Sequence, residues 1–490
     1  MDIFKPSFAP PALQLQFTHK MSYWALVLLS FFVIGIALPV LSPPIGIASV
    51  AILAAMLWVA ISFINDRVDV IALLWVAIFP YCYYFLSFPR EHAIFTLDRA
   101  FLGTIIIYIC VNWKDSVLPV DIKISGYLWG VFLAICCISL IIRPPTEILF
   151  TYRQFIDGLL IPPFLALYVL CYFPFARHIY KLHTFVCLLA IGISSIALTE
   201  LFTGQDLLPW TGSEPYVIGS VIHVRRADGP FENSAVLALV SLFALFFIAF
   251  MRQLLPPDIP IKTRMLHAFG IFASILAALS PLDRGLIFAL VPIAVIDCFS
   301  SKRLLKRKTW IIFFSCLLLA AFILKSVDPV VYEDRTTDPQ NLFQRVAEVK
   351  ETFHVIRDYP FWGVGFGNYH DFVTQSTAYI ARWQGVESMT VQHNLLTKVL
   401  SEEGLIGLFF YLASIIFLLR ASWRMRHAAP LGWKLVLYCF LAYFIVGLDV
   451  DIFSPSDLNL FFMFVIGLAL HFQLHTANQI SIVEEEQCVA

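Results

Sequence analysis

Charge is what this chain has least of. Only 14% of its 490 residues are charged, whereas 60% are apolar. A water-soluble protein of that composition would have no polar surface to offer, so a soluble enzyme is excluded. The net charge of −1 says nothing about nucleic acid, and there is no basic tail, so nucleic acid is not an expected partner. No C-x-x-C pair sits in a long loop. Nine of the ten cysteines lie in or beside apolar segments and Cys488 lies in the tail, so they read as small apolar fillers rather than as a zinc site or a disulfide framework. No clean small-x-small cleavage site follows the first apolar run, which is therefore expected to be an uncleaved anchor.

What is present is a succession of apolar runs of about 20 residues, the length with which an α-helix spans a bilayer. The expected fold is an all-α polytopic membrane protein of about 14 transmembrane helices, near 22–38, 45–64, 70–88, 94–111, 124–142, 158–174, 184–202, 231–250, 265–280, 285–300, 309–325, 394–419, 434–448 and 458–474. Lysine and arginine set the orientation. With the N-terminus in the cytoplasm, the inside loops hold seventeen of these residues and the short outside loops five: Arg90, Arg99, Arg143, Arg153 and Arg284. Both termini are then inside. The expected divisions are a cytoplasmic tail at 1–20, helices one to eleven at 21–326 with an outer loop at 203–230, a large outer loop at 327–393, helices twelve to fourteen at 394–475, and a cytoplasmic tail at 476–490. Within the large loop, Asp338-Pro339 reads as a helix start, 340–358 as a helix, and Tyr359-Pro360 as its stop.

Several outer residues carry chemistry. His393 sits where the long loop meets an apolar helix, and an imidazole, with an unperturbed pKa of about 6.5, can take a proton from a sugar hydroxyl. An interfacial histidine snorkelling at a helix end explains the same placement, and the residues alone weigh the two readings equally. Asn394 can orient a substrate or cap the helix. Arg226 precedes Gly229-Pro230, and Arg284 follows Asp283 in a very short turn. Arginine's planar fork binds phosphate bidentately and never loses its proton. Near a helix end a charge costs far less than the about 2.5–3.5 kcal/mol of the bilayer centre, so an arginine there needs no function on its own. On charge alone Arg225 serves as well as Arg226. Lys398 either snorkels outward or lends charge to the same site. Arg345 and Arg357 fit a solvated helix face, although either can touch a glycan or phosphate. Asp449-Val450-Asp451 reads as solvated acids, with a metal site as the lesser alternative. Trp210, Tyr216, Trp362, Tyr369, Tyr379 and Trp383 suit either an interfacial belt or stacking on sugar rings.

Four elements occur in an order that resembles the O-antigen ligase and O-antigen polymerase group of bacterial membrane glycosyltransferases, over roughly 220–420. Arg226-Ala-Asp-Gly229-Pro-Phe231-Glu-Asn233 is similar to the family's Arg-x-x-Gly-x-Phe-x-Asn. Asp283-Arg284-Gly285 is similar to its Ser-Arg-Gly, with Asp for Ser. Tyr359-Pro360-Phe-Trp-Gly363-Val-Gly365-Phe-Gly367-Asn368 is similar to its Pro-x-x-Gly-x-Gly. His393-Asn394, followed after nine residues by Gly404-x-x-Gly407, is similar to its His-Asn signature. The resemblance implies a transferase of the inner membrane, working at the periplasmic face on undecaprenyl-diphosphate-linked glycans, with no cofactor and no required metal. It implies that Arg226 and Arg284 bind the diphosphate and that His393 is the base, with Arg225, Asn233, Asn394, Lys398 and Arg345 as further substrate-binding candidates. The expected partners are the lipid-linked oligosaccharide donor, a glycan or lipid-linked glycan acceptor, the bilayer, and a chain-length regulator protein as a further candidate. O-antigen or exopolysaccharide polymerase is the favoured reading, ahead of a ligase acting on lipid A core or protein. A transporter of lipid-linked glycan is the non-enzyme alternative, disfavoured because ionisable groups gather at helix ends rather than mid-span.

Overall fold

The computed structural model describes residues 68–82, 87–88, 95–112, 118–203, 207–208, 217–218, 221–222, 227–231, 233–281, 283–300, 302–327, 339–376, 378–388, 392–453 and 455–489. The expected spans near 22–38 and 45–64, together with Arg225, Arg226, Trp210 and Tyr216, lie outside the described residues.

Besides three short strand pairs, the described residues are mostly helical: α1 Val68–Ile78, α2 Leu97–Val111, α3 Val120–Ile142, α4 Ile148–Cys171, α5 Phe175–Thr203, α6 Ser234–Leu254, α7 Ile261–Leu279, α8 Arg284–Phe299 and α9 Arg307–Val327. They continue with α10 Gln340–Asp358, α11 Tyr369–Gln375, α12 Leu395–Arg424, α13 Pro430–Gly447 and α14 Ser456–Val489. Among the described residues, eight (α3 to α7 and α12 to α14) are long and apolar enough to cross a bilayer. The shorter helices α1, α2 and α8 fall where further spans are expected, as does α9. The helix expected at 340–358 is α10. The last helix does not stop near 475 but continues to Val489.

Helix α6 lies at the centre, wholly buried over its apolar stretch, against α5, α7, α8, α13 and α14. Lipid supplies no hydrophobic drive for helices to associate, so close backbone approach and interhelical hydrogen bonds must do so. Both are present. Gly467 of α14 lies so close to the Ala166 backbone of α4 that an added methyl would stand 2.8 Å from its carbonyl oxygen. Between α3 and α12, Ser125 Oγ donates to the Ser414 carbonyl at 2.8 Å and Ser414 Oγ donates to the Ser125 carbonyl at 3.1 Å.

One end of the bundle carries the N-termini of α6, α8 and α12, each started by a short polar side chain that accepts from a free helix amide. Asn233 Oδ1 accepts from Val236 at 2.9 Å, Asp283 Oδ1 from Leu286 at 3.2 Å, and Asn394 Oδ1 from Leu396 at 2.9 Å. Asp283 and Arg284 therefore lie where α8 begins, after the short turn that separates it from α7. Aspartate serves as well as serine in that capping role, so the substitution in the Ser-Arg-Gly element leaves the helix start intact.

The far end is closed by buried acids. Asp297 accepts from the amides of Leu304 at 2.7 Å and Leu305 at 3.0 Å, from Trp310 Nε1 at 3.0 Å and from the Tyr438 hydroxyl at 2.9 Å. Asp121 pairs with Arg424 at 2.8 Å, and Asp69 with His178.

Candidate active site

The site is built at the capped end, where α10 and the segment after it dock onto a break in α12. At Gly404 the backbone turns to φ 67° and ψ −169° inside the helix. A break within a membrane helix frees backbone groups that lipid cannot satisfy. Here the 359–367 segment satisfies them. Val364 N donates to the Ser401 carbonyl at 2.9 Å and Gly365 N to the Glu402 carbonyl at 2.8 Å, while Leu405 N donates to the Pro360 carbonyl at 2.9 Å and Ile406 N to the Phe361 carbonyl at 3.3 Å. Both surfaces need glycine. A side chain at Gly363 would collide with the Glu402 carbonyl, and one at Gly404 with the Phe361 carbonyl. The glycine-rich element and the His-Asn element are thus two halves of one joint. Arg143 at the end of α3 adds a third contact, donating from Nη1 to the Gly363 carbonyl at 3.1 Å.

His393 stands at the start of α12, a quarter exposed, with Nδ1 3.1 Å from Glu348 Oε1 on α10. Its neighbour Gln392 is fixed from two sides, donating to Thr352 Oγ1 and accepting from Thr397 Oγ1 at 2.7 Å. Arg345 Nη1 reaches both Glu348 oxygens, at 3.3 and 3.2 Å, and Arg345 Nε lies 3.5 Å from Asp449 Oδ1. Asp449 lies against the start of α8: a side chain at Gly285 would stand 3.7 Å from Asp449 Cβ. His393, Glu348, Arg345, Asp449 and the Asp283-Arg284-Gly285 turn therefore form one contiguous cluster. Arg284 is the first residue of α8 and is half-buried.

The other candidates divide. Asn394 spends its side chain on structure, with its oxygen capping α12 and its amide donating to the Leu448 carbonyl at 3.2 Å. Asn233 caps α6 in the same way. Lys398 is buried rather than snorkelling, with Nζ 2.7 Å from Asp451 Oδ2. Asp451 also accepts from Phe453 N at 2.9 Å. The two acids of Asp449-Val450-Asp451 are thus not simply solvated: each holds a cation of the protein. Arg345 is likewise no solvated-face residue, because its guanidinium is shared between Glu348 and Asp449. Arg357 fits that description, being largely exposed beside Asp358. Of the other arginines expected outside, Arg99 forks onto Asp157 and Arg143 serves the glycine joint.

Three residues that hold the site together, Glu348, Glu351 and Glu200, went unremarked in the sequence. Glu348 and Glu351 lie on one face of α10. Asp449 was noticed only as half of a possible metal pair. Glu200 near the end of α5 accepts from Gly229 N at 2.7 Å, anchoring the turn that begins the 227–231 segment. Glu351 receives the Tyr369 hydroxyl at 2.7 Å and the Ser388 hydroxyl. Burial pushes the Glu351 carboxyl above the usual carboxylate range; those two hydrogen bonds oppose the shift and the Glu348 charge adds to it. Burial, then the Glu351 charge, also pushes the Tyr369 phenol upward. Of the aromatics, Tyr369 is buried, Trp383 lies under Lys350 at 3.7 Å, and Trp362 is exposed.

Along the bundle, α3, α4, α12, α13 and α14 line a partly open cavity of about 500 Å³ that reaches from Ile122 and Lys123, beside Asp121 of the far end, to Phe453. Its walls are mostly apolar, with Trp129, Leu133, Phe440 and Phe462 among them, and Phe453 at the end where Asp451 and Lys398 pair. The Ser125–Ser414 and Tyr443–Asn459 hydroxyl and amide groups along it bond to one another.

Comparison with curated proteins finds no match. Residues 231–412 match the family model described as O-antigen ligase. The matched span begins at Phe231 and contains the Asp283 turn, the glycine joint and His393. It ends just beyond the break in α12. Residues 231–412 are therefore similar to the O-antigen ligase family, which points to a glycan-transferring enzyme of the ligase/polymerase kind.

Proposed function

We propose that this protein transfers a polyprenyl-diphosphate-linked glycan onto a sugar hydroxyl, with its active site at the outer face of a bacterial inner membrane. The observation that carries the reading is the contiguous cluster from His393 through Glu348, Arg345 and Asp449 to the start of α8. Within it, His393 Nε2 takes the acceptor's hydroxyl proton as that oxygen attacks the anomeric carbon. The bond from that carbon to the diphosphate oxygen breaks, and the lipid diphosphate leaves with the electron pair. One-step attack inverts the anomeric centre. Arg284, and Arg226 outside the described residues, neutralise charge growing on the leaving group, where fixed donors are most effective. The apolar cavity that ends at Phe453 suits a hydrocarbon tail, since its walls offer little to a polar ligand. The lysine and arginine bias supports the outer placement.

The acceptor is a second lipid-linked repeat unit, making the protein a polymerase of O-antigen or exopolysaccharide. A ligase acting on lipid A core is the second reading, favoured by the description of the matched family model. Reconstituted protein supplied with a lipid-linked repeat unit separates the outcomes. Net growth of glycan on the lipid supports the polymerase, and transfer only when core lipid is added supports the ligase. Movement of the lipid-linked unit across the bilayer without new glycosidic bonds would make it a transporter and overturn the proposal.

A further inference from the structure

We infer that Glu348 is a positioning residue for the His393 imidazole, held in turn by Arg345 and Asp449. The inference rests on the reading of His393 as the base and deepens it. An ionised carboxylate only accepts hydrogen bonds, so the 3.1 Å contact between Glu348 Oε1 and His393 Nδ1 requires the hydrogen on Nδ1. The neutral ring then keeps its lone pair on Nε2, the nitrogen turned away from Glu348 and available to an acceptor hydroxyl. When that hydroxyl gives up its proton the ring becomes an imidazolium, and the Glu348 charge lies directly against it.

Glu348 is itself constrained. Its side chain is 5% exposed, and a carboxylate so buried is costly unless it is paired. Arg345 supplies the counter-charge from one turn away, touching both carboxylate oxygens, and Asp449 fixes the far side of the Arg345 guanidinium. The pair bridging Thr352 and Gln392 ties α10 to the residue beside His393 independently of Glu348. Docking of α10 therefore sets both the rotation and the tautomer of the imidazole. A histidine that merely anchored a helix end would need neither the carboxylate contact nor the guanidinium behind it.

The test uses the full chain reconstituted in liposomes with a lipid-linked repeat unit as substrate, and reads kcat and KM separately. Glu348→Gln keeps the volume but allows its amide to donate to Nδ1, favouring the wrong tautomer. It is expected to lower kcat by about 10²–10⁴-fold, as loss of the orienting carboxylate does in related catalytic arrangements, with KM for the donor nearly unchanged. Glu348→Asp restores part of the loss. The double variant Glu348→Gln with His393→Ala turns over no more slowly than His393→Ala alone, because one acts through the other. Additive losses, or a raised KM with kcat intact, overturn the positioning role. If Glu348→Gln does not fold, Arg345→Gln reports on the same chain with a smaller loss of kcat and the same lack of additivity; additive loss there also overturns it. The two readings fail separately. His393→Ala with wild-type turnover removes the base itself, whereas an inactive His393→Ala beside a fully active Glu348→Gln removes only the positioning.

Discussion

The two ends of the bundle use buried acids in opposite ways. At the far end Asp297 collects four donors, three of them from the turn and helix just after it, and nothing is left over to react. At the capped end Glu348 is shared between a guanidinium and an imidazole, and the imidazole keeps one nitrogen uncommitted to Glu348. Both arrangements remove the penalty of burying a carboxylate. Only the second leaves a proton acceptor at a partly exposed position. A saturated acid reads as a latch, and an acid chained through arginine to a histidine reads as a device for orienting that histidine.

That contrast breaks most visibly at the latch. Asp297→Ala strands donors in the interior, each costing about 1–3 kcal/mol. The expected outcome is a large fall in melting temperature and in folded yield, while the protein that does fold turns over glycan at the normal rate. A variant with normal melting and lost turnover would place Asp297 in the chemistry instead.

Gly404→Ala tests whether the joint between the two glycine elements serves the site. The new methyl meets the Phe361 carbonyl, and the left-handed φ adds about 1–3 kcal/mol of strain. The 359–367 segment should then become sensitive to limited proteolysis. Turnover should fall by up to about 10²-fold, the size of a misplacement of about 1 Å. Intact protection together with lost turnover would separate the joint from the base.

Gly130 faces the apolar cavity with nothing within 4 Å of an added carbon. Gly130→Phe fills that space, and KM for the lipid-linked donor should rise by about tenfold, equivalent to about 1.4 kcal/mol of lost binding. An unchanged KM would assign the cavity to bulk lipid.

The smallest effect concerns Glu351. Its carboxyl holds a proton more tightly in the folded protein than in the unfolded chain. The resulting stability is present in full below the unfolded value and is lost as pH rises through the folded one. Glu351→Gln should flatten the fall in melting temperature across that window. A variant as pH-sensitive as the parent would assign the slope to another group.

Much of this molecule was legible in its sequence where local chemistry decides. Apolar runs marked the helices. The polar residue before an apolar run marked the cap at Asn394, whereas the caps at Asn233 and Asp283 appear only in the structure. The change from loop to helix marked His393. What stayed hidden depends on contacts between segments far apart in sequence. Arg345, Glu348, Glu351 and Thr352 share a face of α10 at three- and four-residue spacing, which is a visible signal, but nothing local shows that the face is buried against Gln392 and His393. An arginine's place at the outer end says nothing of its partners: Arg99 and Arg345 are bound to acids of the protein itself. The glycines were recognisable as turns, whereas their role as the two faces of one joint appears only when α12 breaks at Gly404.

The central claim is that the His393 imidazole removes the acceptor's proton. Its most direct test is single-turnover transfer by His393→Gly, with and without free imidazole in solution. The account predicts a loss of about 10²–10⁴ in the rate of glycosidic bond formation with donor binding retained, and partial recovery as imidazole is added. Transfer at the parent rate without imidazole would contradict it.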